Sequence, residues 1–513
     1  RVASVESCVP CASGFFQDEE GTTSCKRCPE KTTTVLLGAA TASDCVCMAG
    51  TIDVSPTPSK ECVACAEGLS CPGGGTQDLL KSGQNDTAVP EVLSGYFSTQ
   101  EAPLSMYKCP MPRCPGGRPG SCQGGRVGLT CAECPQSTYW SDDACVTCEV
   151  SVKVYWIVGI IAVFLLIIMS YYITDFRYVA RASVKECVGT SMDMIFAFAQ
   201  NLGILGAVQV PWPEGLRDLF KFSSVFVLNL QTMGFNCASQ GDLEQYLLCA
   251  LLFVAVTATL PTLGLVTNLL SPLKSRGLSW NFHKTLCIMG KFLQSTFTTM
   301  CNIGMVPFMC FLHPNRQLSI LKYPNTFCSS TAHWIMQIGG VVVLFVAGTH
   351  FILCTWACSQ AAAWSRSAPH RLVSIGFLLS NFRPSAYGFG LVYLVRGPLL
   401  SLPAVVATNS PAITLTLMVC VLQVCFALQL YFLPWKAPIL NIGDSLSTML
   451  FLILLAISLH LEPTLDDSLQ FLDTLGIGVY YLSIGVIACV CVLVRWGCLS
   501  WTVALPKPWE KDL

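Results

Sequence analysis

Sixteen cysteines crowd the first 150 residues, most of them as close pairs: Cys8/Cys11, Cys25/Cys28, Cys45/Cys47, Cys62/Cys65, Cys131/Cys134 and Cys145/Cys148. Thiols at such spacings either ligate zinc or oxidise to disulfides. No histidine stands among them, and a long apolar region follows, so disulfides are the expected chemistry and no metal or other cofactor is expected. Connectivity is not fixed by spacing, because six cysteines already allow 15 pairings. If each pair sends one cysteine back and the next forward, Cys11 closes on Cys25 and Cys28 on Cys45.

A second set of reactive side chains is embedded in apolar sequence. Lys291 in "CIMGKFLQSTF", Arg396 in "LVYLVRGPLL", Asp193 and Asp444 are ionisable groups inside hydrophobic stretches. A charge near a bilayer centre costs roughly 2.5–3.5 kcal/mol, so it must face protein or water. Asp193 and Asp444 are candidates to balance Lys291, and Gln200, Asn201, Gln294, Asn302 and His350 to share a polar seam with it. The functional reading is an ion or solute path. The plainer reading, in which Lys291, Asp193 and Asp444 sit near span ends and reach the interface, is preferred for each of them. His350 and His460 read as packing residues. Pro398, two residues after Arg396, removes a helix hydrogen bond; a gating kink and an ordinary bend are equal readings. "GDSL" at Gly443–Leu446 lacks the strand-turn-helix setting of a hydrolase nucleophile, and "PGGG" at Pro72–Gly75 is a turn. No catalytic residue is expected, and no enzyme.

The composition says what must hold these groups. Of 513 residues, 52% are hydrophobic and 12% charged, against about 25% charged in a soluble domain. The net charge of −1 leaves no basic surplus for nucleic acid. Residues 1–150 contain no long apolar run and read as a disulfide-stabilised ectodomain. From residue 154, "VYWIVGIIAVFLLIIMSYYIT" is long enough to cross a hydrocarbon core about 30 Å thick. Similar stretches recur near 191–210, 245–270, 286–312, 333–357, 388–408, 412–433, 441–461 and 474–495. Because lipid leaves no other partner for backbone groups, these nine spans are expected to be helices. The expected order is an ectodomain (1–150), a helical membrane domain (154–495) and a short cytoplasmic tail (496–513).

With the cysteine region outside, the inner segments hold thirteen Lys or Arg and the outer loops four, which agrees with the positive-inside rule. The sequon at Asn85 fits an outer or lumenal face. Residues 214–236 and 371–382 read as interfacial helices. Cys237 and Cys328, in outer loops, are candidates for a mutual disulfide or for two free thiols; the other late cysteines read as small apolar groups in helices. The chain opens on Arg1 without a signal-peptide core, which is read as a fragment or the product of leader removal, with fragment preferred.

The repeat C-x-x-C-x13-C-x-x-C-x16-C-x-C from Cys8 to Cys47, with "CASGFF" and "ATASDCVC", resembles the cysteine-rich module of ephrin type-A/B receptor-like domains. It implies disulfide-linked extracellular modules, and no kinase motif is present. Residues 109–148 look EGF-like, which implies Cys109–Cys122, Cys114–Cys131 and Cys134–Cys145. The remainder resembles multipass protist membrane proteins that join such repeats to a helical bundle, through Gln200, Trp212, Pro213, Phe220, Cys237, Arg383, Pro384, Tyr387 and Arg396. It bears a looser similarity to transient-receptor-potential-like proteins. The fold expected is a small disulfide-rich ectodomain of EGF or TNF-receptor type followed by an all-α polytopic bundle of about nine helices. The expected partners are the lipid bilayer and an extracellular ligand or protein; the oligomeric state is not legible. The function expected is that of a cell-surface protein of channel or receptor character, with a structural or adhesive role as the alternative.

Overall fold

The computed structural model describes residues 9–55, 60–82, 89–109, 113–141, 144–148, 150–173, 184–208, 210, 212, 214–227, 237, 241–269 and 281–460. Cys8, Asn85, the expected ninth span and the tail lie outside these residues. The chain forms two compact units. The first runs to Val146 and takes in Leu312–Ser319 and Tyr323–Phe327; the second holds the rest.

A segment rich in Gly, Pro, Ser and Thr has no apolar run from which to build a large core, and the first unit folds as short hairpins. β1 (Phe15–Phe16) pairs with β2 (Lys26–Arg27), β3 (Thr32–Thr34) with β4 (Cys45–Cys47) and β5 (Thr51–Asp53) with β6 (Cys62–Ala64). β7 (Leu69–Ser70) pairs with β8 (Glu91–Val92), and β9 (Tyr96–Phe97) with β10 (Tyr107–Lys108). All five pairs are antiparallel. A short helix, α1 (Gln77–Ser82), buries Leu80. Its apolar side chains form separate small clusters, such as Ile52, Leu69, Leu80, Val92 and Met106 in one and Phe16, Cys28 and Cys45 in another.

Disulfides are built into these clusters. Cys11–Cys25 closes the β1–β2 hairpin, and Cys28–Cys45, Cys47–Cys62 and Cys65–Cys71 run from one hairpin to the next, each close pair sending one cysteine back and one forward. Cys134 pairs with Cys145. The interleaved EGF-like pairing is corrected. Cys109 bonds to Cys114 rather than Cys122, and Cys122 to Cys131. The cause is local: the Cys109 N–H donates to the Gly95 carbonyl and the Gly95 N–H to the Cys114 carbonyl, which sets both cysteines against one residue. Gly116 fixes the adjacent turn. It has φ +83°, and a Cβ there would lie 2.6 Å from the Val92 carbonyl oxygen.

The loop pieces 312–319 and 323–327 belong to this unit through named bonds. His313, 2% exposed, accepts the Lys108 N–H at Nδ1 (3.2 Å), so its other ring nitrogen carries the proton toward Ser319 Oγ (2.7 Å). The Tyr107 hydroxyl donates to Gln317, the Asn315 amide to Ser105, and the Leu129 N–H to Asn325.

The second unit is helical: α2 (Val150–Ile173), α3 (Val184–Gly206), α4 (Glu214–Ser223), α5 (Asp242–Leu269), α6 (Phe282–Met305), α7 (Thr331–Ser367), α8 (Pro369–Ser374), α9 (Gly376–Leu379), α10 (Phe389–Val406), α11 (Pro411–Phe432) and α12 (Pro438–His460). Among the described residues, four helices are long and apolar enough to cross a membrane: α7, α10, α11 and α12 over Pro438–Ala456. Further long helices occupy the sites of the first four expected spans. At 10, 6 and 4 residues, α4, α8 and α9 are too short to cross. The helix expected over 286–312 stops at Met305, short of Pro307, and Cys310 falls in a strand, Cys310–Leu312. There it bonds to Cys328, while Cys237 bonds to Cys148. Neither reading of Cys237 and Cys328, a mutual disulfide or two free thiols, holds: each finds another partner, because Cys148 is left over from the first unit's register and Cys310 lies outside its helix.

Caps and small residues set the helices. Asn281 caps α6, its Oδ1 accepting the His283 and Lys284 N–H groups. Where α6 meets α7, a Cβ on Gly340 would lie 2.7 Å from the Gly304 carbonyl oxygen, so only glycine permits that approach. One larger core joins Leu205 of α3, Phe220 of α4, Leu400 of α10, Met418 and Leu422 of α11 and Phe451 of α12. The opposite faces stay apolar and uncovered, as with Trp334, Phe345 and Ile352 of α7.

Candidate functional site

Polar side chains that cannot face lipid converge on one cavity of about 60 Å³ in the helical unit, lined by α3, α6, α10, α12 and the turn that precedes α12. Two ion pairs stand on it. Lys291 of α6 holds Asp193 of α3, and Arg396 of α10 holds Asp444 of α12 at 3.1 Å. The second pair is the more enclosed, with side-chain exposures of 13% and 4% against 32% and 27%. Low-dielectric surroundings strengthen such attraction but penalise any charge left alone.

Local structure positions each group. The α12 face carries Asn441, Asp444 and Thr448 three and four residues apart, which places them one above another. Asp444 Oδ1 takes Arg396, and Oδ2 accepts the Trp435 indole N–H at 3.0 Å; Arg396 also donates to Thr448 Oγ1 at 2.6 Å. Trp435 reaches this place because Leu433 ends α11 in the left-handed region (φ 43°) and Pro434 prevents the helix from resuming. Asn441 then accepts the Trp435 N–H and donates to its carbonyl, and Arg383 donates to that same carbonyl. On the far side, Gln200 of α3, 3% exposed, donates to Thr299 Oγ1 and the Ser295 carbonyl of α6. Beside Arg396, a Cβ on Gly397 would fall 2.0 Å from Thr298 Oγ1, so α10 and α6 touch at that level.

Some polar groups on the cavity are unused. Gln294 Oε1 and Arg396 Nε are buried without a hydrogen-bond partner. The side-chain amide of Asn201, on a residue 7% exposed, makes no hydrogen bond among the described residues. Asp444, by contrast, has both oxygens engaged.

The structure thus brings together Asp193, Lys291, Arg396, Asp444, Gln200, Asn201 and Gln294. It pairs Asp444 with Arg396, not with Lys291. Asn302 and His350 lie outside the lining; His350 is buried between Phe297 and Phe377, with Cys354 one turn on. Ser445 of "GDSL" is on α12, accepting from Gln429. The cluster of Cys310, Cys328 and His333 has metal-ligand proximity, but its two sulfurs are joined to each other. Sequence reasoning missed Trp435, Tyr393 and Thr448. The Asn441/Asp444/Thr448 spacing was the signal that could have found the last of these.

One comparison with known proteins bears on the head. Residues 3–45 match the family model described as tyrosine-protein kinase ephrin type A/B receptor-like. Over 136 residues, 26% of this chain, it is 31% identical to "Sushi, von Willebrand factor type A, EGF and pentraxin domain-containing protein 1" of Rattus norvegicus, and to the same protein of Mus musculus. The match covers 3% of the length of either relative. No solved structure matches the chain. Neither match bears on a transient-receptor-potential-like relationship. The chain is a multipass membrane protein whose disulfide-rich ectodomain opens on an ephrin receptor-like cysteine-rich region.

Proposed function

We propose that the helical unit passes a small polar solute or ion across the bilayer, with the cross-linked head outside, nine crossings in all and the C-terminus in the cytoplasm. Channel or carrier character, not catalysis, is the reading. One observation supports it above the rest: two ion pairs and three unused polar groups from four separated helices share one cavity in an otherwise apolar bundle. Groups that served stability alone are commonly replaceable by apolar residues without loss. The charge asymmetry of the loops supports the orientation.

Flux in reconstituted vesicles tests it. Lys291→Leu and Arg396→Leu are expected to change ion or solute flux at unchanged protein content, and flux identical to the parent in both variants overturns the reading. A receptor role is the second reading. It is favoured by the pieces 312–319 and 323–327, which are bonded into the head and precede α7 in the chain. It predicts that deleting residues 1–150 abolishes a cellular response while the bundle still folds. An adhesive role without transport is left if both tests fail.

A further inference from the structure

The unused groups define what the cavity takes. Before anything binds, the lining carries two cations and two carboxylates, a formal sum of zero. A lone ion entering would leave one charge unbalanced beside the enclosed Arg396–Asp444 pair. A neutral apolar solute would leave the free amide and guanidinium groups unsatisfied. Donors and acceptors are both in surplus. Arg396 Nε–H has no acceptor, and Lys291 bonds only Asp193 with a group that has three N–H donors. Gln294 Oε1 has no donor, Asp193 has one oxygen beyond that held by Lys291, and the Asn201 amide offers both kinds of group. At roughly 10–15 Å³ of such cavity space per water, about 60 Å³ has room for about four to six waters, so only a few heavy atoms fit.

We propose that this cavity is a binding site for a small zwitterion, of the class of the smallest α-amino acids. Its carboxylate is received by Arg396 and Lys291, and its ammonium by Gln294 and Asp193. Binding of such a solute keeps the site neutral while filling donors and acceptors together. The inference deepens the solute-path reading and rests on it for why the site exists, yet binding is measured separately from flux.

The test uses the full chain in lipid nanodiscs and glycine as the probe, read by calorimetric titration, with acetate and methylammonium as single-charge comparators. Saturable glycine binding is expected, with at least tenfold weaker binding of either comparator. Asn201→Leu and Gln294→Leu, which leave both ion pairs in place, are expected to weaken glycine at least tenfold at unchanged helical circular dichroism. Absence of glycine binding, or acetate or methylammonium binding as well as glycine, overturns the zwitterion assignment. If flux depends on Lys291 and Arg396 while glycine fails to bind, the path reading survives and this inference falls. If glycine binds and no flux is found, the reverse holds.

Discussion

The two units hold themselves together by opposite means. In the head, Ile52, Phe16 and Phe97 each anchor a cluster of a few side chains, and disulfides are built into those clusters and link hairpin to hairpin. In the helical unit a broad apolar core spans five elements, and among the described residues its free cysteines other than Cys420, Cys287 and Cys301 among them, are buried as small apolar groups. There the polar contacts, not the sulfurs, are specific. A head made mostly of turns depends on limiting its unfolded chain. A bundle in lipid gains little from apolar contact between helices and depends on close packing and on polar groups that find each other.

Separating these two modes should produce graded effects. The largest is expected at the enclosed ion pair. Arg396→Leu leaves Asp444 charged without its cation, which costs about 3–5 kcal/mol, whereas Arg396→Leu with Asp444→Leu recovers most of that. The check is the denaturation midpoint in detergent; a single variant no worse than the double one would remove the pair from the account. Next comes a single staple. Replacing Cys122 and Cys131 by Ser is expected to cost the head about 2–4 kcal/mol and to leave the bundle unmoved. Non-reducing peptide mapping of the parent should return Cys109–Cys114 and Cys122–Cys131, and interleaved pairs would refute that pairing.

A further effect is a pH dependence confined to the head. Burial pushes the His313 imidazole down from 6.5 to about 4, so the unfolded chain takes a proton at higher pH than the folded one. Stability from this contact is complete above about 6.5 and falls as pH drops toward 4. Protonation at Nδ1 removes the acceptor of the Lys108 N–H. Exchange of the Lys108 amide, corrected for intrinsic rate, should accelerate below pH 6, and a flat profile would show that His313 does not govern it. At the surface, the Lys26 bridges to Asp18 and Glu19 are exposed, and Lys26→Ala is expected to change nothing measurable.

The sequence made the compartment chemistry legible because C-x-x-C pairs and uncharged 21-residue runs are local patterns. It also pointed to Asp193, Lys291, Arg396 and Asp444, since an ionisable group inside an apolar run is conspicuous. Which carboxylate meets which cation was not legible. That depends on how α3, α6, α10 and α12 come together, and on Leu433 turning Trp435 back onto Asp444. Likewise, Cys109 could not be assigned from spacing, because its partner is chosen by two hydrogen bonds to Gly95. The inclusion of residues 312–319 and 323–327 in the head rests on side chains such as His313 and Asn325, whose types carry no positional signal.

Hydrogen exchange on the intact protein, with and without a strong reductant, tests most directly whether covalent links order one unit and packed polar helices the other. Reduction is expected to abolish protection across residues 11–131 while α6, α10 and α11 keep theirs. Equal loss in both units, or a head that stays protected with its sulfurs reduced, would contradict the account.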